Sequence, residues 1–189
     1  MRFIRWGIPF LAVAAWCGDA PAQTLVPGGF IDELKIGVLR HDAGIFGNNK
    51  EDGVDINFET RFVSPEILRP LFAPRPHLGV SVNTAGDTSQ LYAGLTWSFT
   101  LLRGLFSTSD SFYLDASIGG AAHDGKLDTD AVDRKALGSR FLFRESLELG
   151  YSFTPSQSIS IMLDHVSNAN LANRNEGLDN LGIRYGLKF

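Results

Sequence analysis

The chain has 189 residues, with 17 Lys plus Arg against 21 Asp plus Glu, for a net charge of −4. That balance argues against a nucleic-acid footprint. The single cysteine, Cys17, leaves no intramolecular disulfide and no thiolate metal site. Twenty glycines, fourteen phenylalanines and a charged fraction of 20% fit a β-rich protein with an exposed apolar face.

At the N-terminus, Arg2 and Arg5 precede an apolar stretch from Ile8 to Cys17, and then comes Ala20-Pro21-Ala22. This is the layout of a secretory signal peptide with a small-x-small cleavage site. Cleavage after Ala22 leaves residues 23–189 as one domain without cysteine. The apolar stretch is too short for a spanning helix. A lipid anchor at Cys17 is disfavoured because Trp16 stands where a small residue is wanted. No later run of 18 apolar residues offers a membrane helix.

The remainder reads as about eight segments of alternating polarity. The first, near Leu34 to Leu39, is the least regular. The second is the cleanest. Val54, Ile56, Phe58, Thr60 and Phe62 share one face, with Asp55, Asn57, Glu59 and Arg61 on the other. The third sets Leu78, Val80 and Val82 against His77, Gly79, Ser81 and Asn83. The fourth sets Leu91, Ala93, Leu95, Trp97 and Phe99 against Gln90, Tyr92, Gly94, Thr96 and Ser98. In the fifth, Phe112, Leu114, Ala116 and Ile118 oppose Tyr113, Asp115 and Ser117. The sixth has Phe141, Phe143, Leu147, Leu149, Tyr151 and Phe153 on one face, interrupted by Glu145. Arg140, Arg144, Ser146 and Glu148 lie opposite. In the seventh, Ile159, Ile161, Leu163, His165 and Ser167 share a face. In the eighth, Asp179, Leu181, Ile183, Tyr185, Leu187 and Phe189 do.

Eight such segments predict an all-β fold, an eight-stranded antiparallel transmembrane β-barrel. A soluble lipocalin-like barrel has the same alternation with the apolar face inward. Export, charges on the opposite face of many segments, and an aromatic C-terminal residue favour the membrane. The terminal Phe189, with Leu187 and Tyr185 in phase, is similar to the assembly signal of bacterial outer-membrane proteins. It points to the barrel-assembly machinery and outer-membrane lipid as partners. With both ends periplasmic, the long polar connections 41–53 and 122–139 are extracellular, and Thr154-Pro155-Ser156-Gln157 is a short periplasmic turn. The apolar connections near 64–76 and 100–110 read as small interfacial helices. An eight-stranded barrel has a filled interior, so no pore is expected. A homodimer is compatible with such a barrel.

The chemistry concentrates near the C-terminus. His165, Ser167 and Asp179 all project from the apolar side of two adjacent strands. That placement is odd for a soluble enzyme and makes sense if the substrate is itself a lipid. Residues two apart on one strand face are within reach, so His165 can serve as base to a Ser167 nucleophile. Asp179, from the neighbouring strand, can orient His165. An oxyanion needs donors. The side-chain amide of Asn168 and the backbone N–H groups of Ala169 and Asn170 are available. Glu145 is a second carboxylate on the same wall. Counted around the turn at 154–157, it falls across from about Ser167 and suggests a supporting role.

The run His165-Val166-Ser167-Asn168-Ala169, followed by Asn175, Gly177 and Asp179, resembles the lipid A 3-O-deacylase (PagL-type) family. That family's hallmark is His-x-Ser-Asn-Ala, then Asn-x-Gly-x-Glu or Asp, near the end of an eight-stranded barrel. The diagnostic part covers roughly the last 30 residues. The resemblance implies hydrolysis of the ester-linked hydroxyacyl chain at the 3-position of lipid A, so lipopolysaccharide is the substrate. It assigns Ser167 as nucleophile, His165 as base and Asp179 as the acidic member. The best-known pattern has Glu there, one methylene longer.

Each residue also has an ordinary structural explanation. Ser and Asn at a strand end are commonly turn formers, and Asp179 at a strand start suits a loop. Their joint occurrence on a lipid-facing stripe overturns those readings, because intramembrane ionisable groups are costly. His41, His77 and His123 show no ligand spacing with carboxylates, and the Asp-rich run 124–133 lacks the pattern of a calcium loop. No catalytic metal and no cofactor are expected. The carboxylates of that run suit divalent cations that bridge to lipopolysaccharide phosphates. Two rivals stand beside hydrolysis: a non-enzymatic barrel with a dead site, and a lipid acyltransferase using the same nucleophile.

Overall fold

In a computed structural model, which describes residues 29–189, the eight segments close into a barrel in sequence order. The expected signal segment 1–22 lies outside the described residues. The strands are β1 (Ile31–Arg40), β2 (Val54–Phe62), β3 (Arg75–Asn83), β4 (Gln90–Arg103), β5 (Ser111–His123), β6 (Phe141–Ser152), β7 (Gln157–Ser167) and β8 (Leu178–Lys188). Every neighbouring pair is antiparallel, and β8 closes on β1 with Tyr185 opposite Ile36. Closure leaves no unpaired strand edge.

The sidedness decides between the two barrels that alternation allows. Ile36, Val38, Ile56, Phe58, Leu78, Leu91, Ile118, Leu147, Leu149, Ile161 and Ile183 are exposed on the outer wall. Glu33, Lys35, Glu59, Arg61, Asp115, Glu148 and Arg184 are buried in the lumen. This is the inverse of a soluble barrel and the pattern of a membrane one.

The lumen is filled by paired charges. Arg61 Nε lies 2.7 Å from Glu59 and its Nη2 2.9 Å from Glu148. Arg184 Nη2 lies 2.9 Å from Glu59. Lys35 pairs with Glu148, and Arg61 with Asp115. Each charge therefore has several opposite partners, which offsets the cost of desolvating it. Nearer the loop end, Arg144 stacks 3.7 Å from the centre of the Tyr92 ring and pairs with Asp164 at 3.1 Å.

The two apolar connections differ. In the first, a 3₁₀ turn spans Glu66–Leu71, and Trp97 Nε1 donates to the Leu71 carbonyl at 2.8 Å. The second holds no helix, contrary to expectation. β4 runs on to Arg103, and the Asp110 carboxylate closes the turn by accepting the N–H groups of Leu105, Phe106 and Ser107 at 2.8–3.0 Å. A side-chain acceptor satisfies the backbone there, so a helix is not needed.

At the other end, the connections after β1, β3, β5 and β7 interlock. Lys50 Nζ meets Glu176 at 2.6 Å, Lys135 Nζ meets Asp42 at 3.1 Å, and the Lys135 N–H donates to Glu51 at 3.0 Å. Arg134 pairs with Asp87. These contacts make a polar cap over one mouth of the barrel.

Candidate active site

β7 carries His165 and Ser167 on the outer wall, in phase with Ile159, Ile161 and Leu163, while Met162, Asp164 and Val166 point inward and are buried. In the ladder, His165 stands opposite Asp179 of β8. The two side chains meet, His165 Nδ1 lying 2.6 Å from Asp179 Oδ1. His165 is 28% exposed and Asp179 only 4%, so the carboxylate supports the ring from behind while the ring edge stays open. Two ionisable groups on an apolar wall are costly unless they satisfy each other. With Nδ1–H given to Asp179, Nε2 is the nitrogen left to accept a proton.

A loop completes the pair. Asp179 Oδ2 accepts the backbone N–H of Phe46 at 2.8 Å, and its main-chain carbonyl accepts the N–H of Ala43 at 2.6 Å. The Phe46 ring stands edge-on to the imidazole, with centroids 5.5 Å apart. The sequence marks the connection 41–53 only as long and polar. That Phe46 reaches a residue 133 positions away is a product of closure between β1 and β8.

Gly177 is the second residue whose part is visible only in three dimensions. Its φ is +64°, and a Cβ there would lie 3.0 Å from His165 Cε1. The left-handed backbone and the close approach of the ring both call for glycine. This is a physical reason for the glycine in the Asn-x-Gly-x-Asp run.

Asn168 lies differently from its expected use as an oxyanion donor. It is buried, and its side-chain amide gives both hydrogens away, to the carbonyls of Leu137 at 2.8 Å and Arg174 at 2.6 Å. Its own N–H donates to Asn175 Oδ1 at 2.8 Å. Asn168 therefore ties the turn after β7 to the connection after β5. Its inward position follows from the alternation that sends Ser167 outward. Ala169 and Asn170 follow with φ of +53° and +62°, both exposed. Among the described residues, their N–H groups have no acceptor in the chain. Ser167 Oγ likewise forms no hydrogen bond among the described residues. It shares the outer face with His165, two residues along β7.

Glu145 corrects a register expectation. It pairs with His165, and Ser167 pairs with Phe143. The tight turn between β6 and β7 puts Ser152 opposite Ser158, two positions away from the assumed alignment. One rung of the outer wall thus reads Ile118, Glu145, His165, Asp179 across β5 to β8.

His41 shows carboxylate partners that its sequence spacing did not reveal. Its Nε2 lies 3.0 Å from Glu51 and its Nδ1 2.9 Å from Asp55. Burial works against a charged ring, but the hydrogen bonds to Asp55 and Glu51 outweigh it and hold the His41 pKa up to about 9. The trio clamps the base of the connection 41–53. Among the described residues, no group of three or more His, Cys, Asp or Glu is arranged to hold a metal.

The sequence model of the family Lipid A 3-O-deacylase (PagL) matches residues 69–188. The chain belongs to that family. The lipid A deacylase PagL of Bordetella bronchiseptica strain RB50 is 34% identical over 82 residues, covering 43% of this chain and 44% of that protein. The chain thus aligns with less than half of that relative's length. The crystal structure of the outer membrane enzyme PagL superposes with a TM-score of 0.61 at 16% identity, covering 83% of this chain and 99% of that one. Neisserial surface protein A superposes at 0.52 with 11% identity, covering 85% and 98%. The structural likenesses show the eight-stranded outer-membrane barrel fold. The family match contains His165, Ser167 and Asp179 but begins after the connection that carries Phe46.

Proposed function

We propose that this member of the lipid A 3-O-deacylase family is a serine-type esterase that hydrolyses the ester-linked hydroxyacyl chain at the 3-position of lipid A in the outer leaflet. The observation that carries the reading is the 2.6 Å His165–Asp179 pair on the lipid-facing wall, with Ser167 two residues along the same face. The loop end of the barrel faces outward in this reading, so the site lies at the depth of the lipopolysaccharide acyl chains. Export by the segment 1–22 and insertion by the barrel-assembly machinery belong to the same reading.

Ser167 Oγ attacks the ester carbonyl and its proton passes to His165 Nε2. Asp179 holds the tautomer and stabilises the imidazolium. The free N–H groups of Ala169 and Asn170, exposed beside Ser167, suit the developing oxyanion. The Asn168 amide, committed to two carbonyls, supports the turn rather than the oxyanion. Collapse returns the proton to the 3-oxygen of the sugar, which leaves as a hydroxyl. Water, deprotonated by His165, then releases the hydroxy fatty acid and restores Ser167. An acyltransferase would replace that water with a lipid hydroxyl.

Mass spectrometry of lipid A from cells with and without the protein tests the reading. The expected result is a loss of one hydroxyacyl group that Ser167→Ala prevents. Unchanged lipid A would favour a structural barrel, and a gain in mass an acyl transfer.

A further inference from the structure

Glu145 is a carboxylate with no role in the chemistry above, on a wall where a carboxylate is out of place. It is exposed on the outer face of β6 between Phe143 and Leu147, with Ile118 beside it on β5. His165 is its one polar neighbour in the rung. Yet the imidazole already gives Nδ1 to Asp179, and among the described residues Glu145 joins no hydrogen bond or ion pair. An ionisable group set among apolar residues in a bilayer is costly and calls for a partner. The fold supplies none, so the bound substrate is the remaining source.

The register says which part of the substrate. Ser167 shares a rung with Phe143, and Glu145 lies on the next rung, further from the loop cap. Diagonal neighbours in such a ladder are about 7–8 Å apart. An ester carbonyl held at Ser167, with its sugar toward the cap, sends its acyl chain down the wall past Glu145. The glutamate side chain spans much of that diagonal and reaches the first few carbons of the chain. An ionised carboxylate only accepts hydrogen bonds. The group it can recognise there is a hydroxyl carried near the carboxyl end of the chain.

We propose that Glu145 is the residue that selects hydroxylated acyl chains, by accepting a hydrogen bond from the chain's hydroxyl. This rests on the assignment of Ser167 as nucleophile. It makes Glu145 a recognition residue rather than a second partner of His165. A hydrogen bond to a charged group in a site of low polarity corresponds to a preference on the order of tenfold or more.

The test is a competition in mixed micelles between two lipid A species that differ only at the 3-position, one with a 3-hydroxyacyl ester and one with the unsubstituted acyl ester. The purified full-length protein and its Glu145→Gln and Glu145→Leu variants are compared by the ratio of kcat/KM values. The unaltered protein should favour the hydroxylated ester at least about tenfold, Glu145→Gln should keep part of that preference, and Glu145→Leu should bring the ratio near one. Heat-modifiable migration confirms that each variant is folded. A wild-type ratio in Glu145→Leu overturns the proposal. So does an equal loss on both esters, or a shifted pH profile on the unsubstituted ester, which would mean that Glu145 acts through His165. Turnover of both esters that survives Ser167→Ala overturns the nucleophile assignment and the proposal with it.

Discussion

Asp179 meets His165 across the β7–β8 ladder, Oδ1 to Nδ1 at 2.6 Å, and both of its carboxylate oxygens are engaged because Phe46 N–H binds the other at 2.8 Å. Asp179 is thus held by the loop after β1 as well as by the His165 ring.

Removal of the proposed nucleophile or base should cost far more than removal of the proposed orienting acid. Ser167→Ala and His165→Ala should each lower kcat by on the order of 10⁴-fold or more, and Asp179→Ala by about 10- to 100-fold less than that. All three should remain heat-modifiable barrels. Lipid A mass spectra and single-turnover rates read the difference. A loss in Asp179→Ala equal to that in Ser167→Ala would show a more essential acid than proposed.

Gly177→Ala places a methyl 3.0 Å from His165 Cε1, at a φ of +64°. The left-handed backbone alone costs about 1–2 kcal/mol. The added crowding displaces the imidazole, so the rate should fall by more than the stability loss explains. Thermal unfolding measured beside kcat separates the two. A variant with full kcat would mean that the ring tolerates the contact.

The His41 clamp gives a pH dependence with a definite sign. Its pKa is raised from 6.5 to about 9, so its contribution is complete below 6.5 and fades as pH rises through 9. Deprotonation leaves Glu51 and Asp55 facing a neutral ring. Loop 41–53, and with it the Phe46 N–H, should loosen between pH 6.5 and 9. Hydrogen exchange at Phe46, corrected for intrinsic rates, should accelerate over that window. His41→Gln should exchange fast at every pH. A flat profile in the unaltered protein would remove the clamp from the account.

Charge on the two faces of β7 should be punished for different reasons. Leu163→Arg sets a cation on the lipid wall, at a cost that falls from about 2–4 kcal/mol at the midplane towards the interface. Met162→Arg sets one against Arg184, which packs on the Met162 thioether in the filled lumen. Both should reduce assembly, whereas Met162→Leu should be tolerated. Lipid-quenchable labels at positions 161 and 163 should report bilayer contact, and labels at 160 and 162 should not. Quenching of the second pair would invert the barrel.

The alternation in β2 and β3, and in β5 to β8, needs only the two-residue period of an extended chain, so strand number and faces are legible without a fold. The same period places His165 and Ser167 on one face, and their spacing to Asp179 carries the family resemblance. Which face turns to lipid is a matter of closure. Lys35, the Glu59–Arg61 pair, Glu148 and Arg184 come from four different strands and find one another only inside a complete barrel. Register also lies beyond the sequence, because a short turn fixes it by its backbone geometry, and this one sets Glu145 opposite His165 rather than Ser167. The contacts of the Asn168 amide and the Phe46 N–H depend on loops from different hairpins meeting at one mouth. The Phe46 meeting follows from the antiparallel closure of β8 on β1, an interaction between distant strands that no local pattern encodes.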